Sequence, residues 1–197
     1  MMRRSLYGLA IALTALGVTG WGMPGVASSE LQDSSRWSWL GENGGTYWYV
    51  PAENLLAFRW DTSTPRTATA IDDQTVWHIE RYDNGYIFGP IAVKLAGLPR
   101  LCQFLIGSVT PDGRVYISFN SLQAIPIGTP SLTTGIGQMV RAGRDWAFNM
   151  QMASGSATSQ VTHWAFMQQC TPADPCWTSL PGLHSSLPDL LASCGGP

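Results

Sequence analysis

Between Gly45 and about Gln169 the chain repeats one phrase: a short apolar or aromatic run, a turn, and another run. Within the runs, residues two apart share a chemical character, the mark of strands with one buried face. The pattern predicts nine strands, over residues 46–50, 55–60, 75–82, 86–95, 101–109, 114–120, 135–141, 146–153 and 159–168. Val, Ile, Thr, Tyr, Phe and Trp dominate them, the side chains that suit a pleated surface. Asp83-Asn84-Gly85 and Pro111-Asp112-Gly113 supply the positive-φ residues of tight hairpins, and residues 141–145 and 153–157 read as slightly longer hairpin loops. Asp72-Asp73 reads as ordinary turn chemistry. Helical periodicity is confined to residues 52–56 and 186–192.

Eight or nine consecutive strands joined by hairpins leave two bare edges unless the sheet closes. The expected fold is therefore all-β: a single up-and-down antiparallel β-barrel of about eight strands over residues 45–170. A β-sandwich is the alternative, with residues 120–134 as its long crossover. From Gly45 to Cys170 the pattern resembles the lipocalin and avidin-like (calycin) group of small-ligand barrels. The resemblance is one of architecture. Gly45-Thr46-Tyr47-Trp48 does not keep the spacing of the lipocalin Gly-x-Trp signature, so no ligand-site residue of that group is carried over.

The flanks differ from this body. Arg3-Arg4, the apolar run 6–18 and Gly25-Val26-Ala27 form the three parts of a cleaved secretory signal over residues 1–27, of the general or the twin-arginine type. Residues 28–44 lack alternation and read as a flexible arm carrying Trp37 and Trp39; residues 171–197 read as a cap. An exported protein of periplasmic or secreted location is expected to oxidise its cysteines. The preferred pairing closes the Pro-stiffened loop Cys170–Cys176 and leaves Cys102 to pin the tail at Cys194.

Composition removes several function classes. With 11 basic against 13 acidic residues and only 12% of the chain charged, no cationic footprint for nucleic acid exists. After the leader, no apolar stretch is long enough to span a bilayer. Gly-x-Ser-x-Gly, P-loop and His-Glu-x-x-His motifs are missing, Gly135-Ile136-Gly137 lacks the third glycine of a dinucleotide fingerprint, and the cysteines and histidines lack zinc spacing. No metal or cofactor is expected.

What remains is strand parity. One face of residues 75–83 carries Val76, His78, Glu80 and Tyr82, and the other Trp77, Ile79 and Arg81. Trp146, Phe148, Met150 and Met152 share a face of their strand, as do Val161, His163, Ala165 and Met167. If these sets point inward, the lumen is a dry pocket for a terpenoid, aromatic or lipid-like molecule. His78, Glu80, His163 and Tyr82 would supply acid–base groups, and Trp146, Phe148, Met150, Met152 and Met167 would form its lining. The reaction suited to such a set is a cofactor-independent lyase or isomerase step. A non-catalytic hydrophobic-ligand carrier and an envelope interaction module with an exposed Trp37, Trp39 and Trp60 patch are the alternatives. Opposite parity would fill the barrel with Trp77, Ile79, Trp164 and Phe166 and turn His78, Glu80 and His163 to water.

Overall fold

The computed structural model describes residues 34–64, 66–122, 132–192 and 194. The leader, residues 28–33 and most of the 120–134 connection lie outside the described residues. The strands are β1 (Thr46–Tyr49), β2 (Leu56–Asp61), β3 (Ala68–Ile79), β4 (Arg81–Asp83), β5 (Tyr86–Leu95), β6 (Leu101–Val109), β7 (Arg114–Ser121), β8 (Leu132–Ala142), β9 (Asp145–Gly155) and β10 (Ser159–Cys170). Every neighbouring pair is antiparallel, and pairing β3 with β5 closes β2, β3 and β5–β10 into an eight-stranded barrel. The other two strands are short extensions. β1 continues the line of β2, pairing like it with both β3 and β10, and β4 continues β3 against β5.

Two irregularities in this wall matter. The first stave breaks at residues 50–55, where Pro51 removes a donor and a short 3-10 helix (Ala52–Asn54) leads the chain outward. Gln74 of β3 fills part of the gap. Its side-chain amide donates to Val50 O at 2.8 Å and accepts from Val50 N at 2.9 Å, reproducing with one side chain the two bonds of a ladder rung. The second irregularity is a bulge. Trp77 pairs with Ile91 but Arg81 pairs with Phe88, a one-residue slip between β3 and β4. Gly89 allows it, since a Cβ there would lie 1.7 Å from the His78 carbonyl oxygen. Beyond the slip, inward and outward positions exchange.

The lumen has two unlike ends. At the end where β1 begins, a 3-10 helix (Ser34–Gly41) inserts Trp37 and Leu40 into the barrel. This corrects the expected flexible arm: Trp37 is 1% exposed, and its indole N–H donates to Thr110 O at 2.9 Å. Trp39 also packs against the core, so the exposed tryptophan patch expected of an interaction module does not form there. Trp48, Trp77 and Phe148 fill the barrel behind the plug, with near-perpendicular ring contacts at 4.6 and 5.3 Å. The opposite end, where β2, β5, β7 and β9 finish, is an open mouth.

The cap lies on the outside of the barrel. Helices α1 (Pro175–Thr178) and α2 (Leu187–Ala192) bring Leu180, Leu187, Leu190 and Leu191 against Val76 and Ala92 on the outer faces of β3 and β5. Both disulfides take the expected pairing, Cys170–Cys176 and Cys102–Cys194. Two disulfides and no free cysteine among the described residues indicate an oxidising, non-cytoplasmic environment. No helix among the described residues is long and apolar enough to cross a membrane.

Candidate functional site

Between the plug and the mouth lies a cavity of about 160 Å³. Trp77, Phe119, Met152, Ala165 and Met167 form its floor, Val93, Leu95 and Val161 its walls, and Arg59, Leu98, Leu101, Ser154 and Ser159 its approach. The glycines of β8 make room for the sulfurs within: a Cβ on Gly135 would lie 2.2 Å from the Met152 Sδ, and one on Gly137 would lie 2.5 Å from the Met150 Sδ.

Parity splits the sequence-derived constellation. β9 and β10 face the way the alternation suggested, so Phe148, Met150, Met152, His163, Ala165 and Met167 point into the barrel. β3 faces the other way, and Trp77 and Ile79 are the lumen residues. His78 lies on the outer wall, its ring stacked on Tyr47 at 4.1 Å, its Nε2 2.9 Å from Gly44 O and its Nδ1 3.5 Å from Glu80. Burial, and secondarily the charge of Glu80, push the Tyr47 hydroxyl above its ordinary pKa. Tyr82 comes after the bulge and turns inward, but its hydroxyl donates to Ser34 O in the plug. The expected four-residue acid–base group is therefore not assembled in one place. Of the expected lining, Met152 and Met167 border the cavity. Phe148 and Met150 belong to the solid core, and Trp146 sits edge-on to Trp37 at 4.8 Å by the plug.

The carboxylate facing the lumen is Asp73. It sits inside β3, paired with Leu95 of β5, where the sequence suggested a turn. Asp73 Oδ2 lies 3.0 Å from His163 Nδ1, and Asp73 Oδ1 accepts from Thr75 Oγ1 at 2.8 Å. His163 Nε2 lies 2.8 Å from the Asn54 carbonyl oxygen in the gap of the first stave. Both ring nitrogens face acceptors, so the imidazole donates from both and carries a positive charge. Burial alone would lower the His163 pKa; the hydrogen bond and charge of Asp73, with the Asn54 carbonyl, outweigh it and hold the pKa above the ordinary histidine value. The pair is a buried ionic cross-link between β10, β3 and the broken stave, with neither nitrogen left over for a ligand.

Further polar residues line the cavity, among them Gln103, Thr133, Ser154, Ser156 and Ser159. Gln103 is 3% exposed and borders the cavity. Trp77, Ile91 and Gln103 are consecutive partners across β3, β5 and β6, so the glutamine stands two strands from the indole on one rung. Trp77 Nε1 is the one buried side-chain donor without an acceptor among the described residues. At the approach, Arg59 is held by Asp61 at 2.8 Å.

The sequence does not single out Thr75 or Gln103, Asp73 reads there as part of a turn, and only the opposite parity places Trp77 in the lumen. Counting back by twos from Ile79 through Trp77 and Thr75 reaches Asp73, so the period carried that signal once the parity of this strand was right. No group of three or more His, Cys, Asp or Glu able to hold a metal ion occurs among the described residues. Comparison of the chain with protein-family models, with curated proteins and with solved structures gave no match in any of the three.

Proposed function

We propose that the protein is an exported carrier that holds a small, mainly apolar molecule in the open half of its lumen. One observation carries this reading: the barrel is packed solid at one end and hollow at the other. A hollow of about 160 Å³ is close to the ~150 Å³ of an engineered apolar cavity that takes up benzene. It falls below the ~300–1,000 Å³ of sites for drug-sized molecules. The occupant is then of monocyclic size, in the terpenoid or aromatic class, with one polar end for the Gln103 amide. The leader-like N terminus and the two disulfides support export.

Holding is favoured over turnover. The acid–base reading needs His78, Glu80 and His163 around one substrate, but the imidazoles are on opposite sides of the wall, and His163 spends both nitrogens on Asp73 and Asn54.

The test pairs native mass spectrometry of the exported protein with tryptophan-fluorescence titration by monocyclic terpenoids and aromatic ketones. Ala165→Leu, which fills the hollow, is expected to abolish binding while the fold persists. A bare mass spectrum, together with identical titrations of wild type and Ala165→Leu, would sink the reading.

A further inference from the structure

Apolar side chains surround the mouth. Leu98 and Leu101 line the cavity approach and form the inner lip. Leu122 and Leu132, about half exposed, stand on the outer lip, and Trp60 is partly exposed near the end of β2 across the opening. Leu122 is joined to the start of β6 by its bond to Cys102 O, and Leu132 pairs with Gly155 of the cavity wall, so the apolar rim is continuous with the hollow.

The balance of charge differs between the two ends of the barrel. In the described turns of the mouth end, residues 62–64, 66–67, 96–100 and 156–158, the charged side chains are Arg66 and Arg100, and the adjacent carboxylate of Asp61 is neutralised by Arg59 at 2.8 Å. The plugged end carries both signs in near balance, with Glu42, Asp83, Asp112 and Asp145 beside Arg36, Arg81, Arg114, Arg141 and Arg144. An acidic protein thus presents leucines and arginines around one opening.

We propose that this rim docks on the surface of a bilayer containing anionic lipid, so that an apolar ligand passes between membrane and lumen without crossing water. Leucines enter the acyl boundary and arginines meet lipid phosphates, the combination that holds monotopic proteins at an interface. The proposal rests on the carrier reading for its purpose. Its test uses empty vesicles, so the two can fail separately.

The protein lacking residues 1–27, whose apolar run would itself bind lipid, is sedimented with vesicles of phosphatidylcholine alone or with about one-third phosphatidylglycerol. Anionic vesicles should bind it more strongly than neutral ones, by roughly fivefold for each arginine engaged. Leu122→Ser and Leu132→Ser, neither of which borders the cavity, should each weaken binding by roughly tenfold. Both should leave the melting temperature and ligand titration in solution unchanged. Absence of binding to either vesicle overturns the proposal. So does binding that survives the double substitution, which would place the contact on another face. Self-association that depends on the two leucines, without vesicle binding, would assign the rim to a second copy of the chain and overturn it as well.

Discussion

The two ends of the barrel are built from the same kinds of strand, yet one is a core and the other a container. At the plugged end the 3-10 helix drops Trp37 between the hairpins, and Trp48, Trp77 and Phe148 interlock behind it. At the mouth no chain segment among the described residues enters the lumen, and the inward residues become smaller or polar: Val93, Thr75, Ser154, Val161, Ala165. A closed sheet fixes the radius of its lumen, so side-chain size alone decides whether a given level is filled. Large aromatics make the lower half a rigid support, and small residues above leave the hollow.

The strongest way to break this contrast is truncation at each level. Phe148→Ala should destabilise the protein by about 4 kcal/mol, because its site is fully enclosed and cannot collapse. Met152→Ala, beside existing free space, should cost no more than about 2 kcal/mol. Equal losses in denaturant unfolding would mean that the two halves are packed alike.

Next in size is the buried ionic bridge. Asp73→Ala leaves the His163 cation without its partner and should cost about 3 kcal/mol near pH 6. His163 binds its proton more tightly in the folded than in the unfolded chain. Its stabilisation is therefore complete below pH ~6.5, the ordinary histidine value, and is lost as pH rises through the higher folded value. Urea midpoints of the wild type should fall across that window. His163→Gln should remove this component, and a persistent fall in that variant would place the titration elsewhere.

Replacing Cys102 and Cys194 by serine should cost about 2 kcal/mol, the low end of the usual range, because the leucines of the tail still rest on Val76 and Ala92. Non-reducing mass analysis of the wild type should show four hydrogens fewer than the reduced chain. The smallest effect sharpens the contrast most: Ala165→Leu should change stability by less than about 1 kcal/mol, since it enters space already present. A loss as large as that of Phe148→Ala would show that no usable space exists there.

Most of the fold was legible in the sequence because hairpins announce themselves. Asp83-Asn84-Gly85 and Pro111-Asp112-Gly113 fix where strands reverse, and the cysteine spacing favoured the pairing that forms. The direction of β3 was not legible. Its two faces, Val76 on one and Trp77 and Ile79 on the other, are both apolar because the tail covers the outer one with Leu187, Leu190 and Leu191. Local alternation carries no information about a segment more than a hundred residues away. The bulge at Gly89 adds to this: His78 and Glu80 lie outside while Tyr82 turns inside, though simple alternation puts all three together. Asp73 escaped for a related reason, since a carboxylate beside another carboxylate resembles a turn until its partner, His163, is known.

The amide of Gln74 has a wider consequence. Its Nε2 donates both to Val50 O and to Pro181 O of the tail, at 2.8 and 3.0 Å. One nitrogen thus stitches the seam of the cylinder and fastens the outer wrapping to it. Disturbance of the C-terminal segment would be felt first where the wall is already discontinuous, a short distance from the imidazolium that locks the same breach from within.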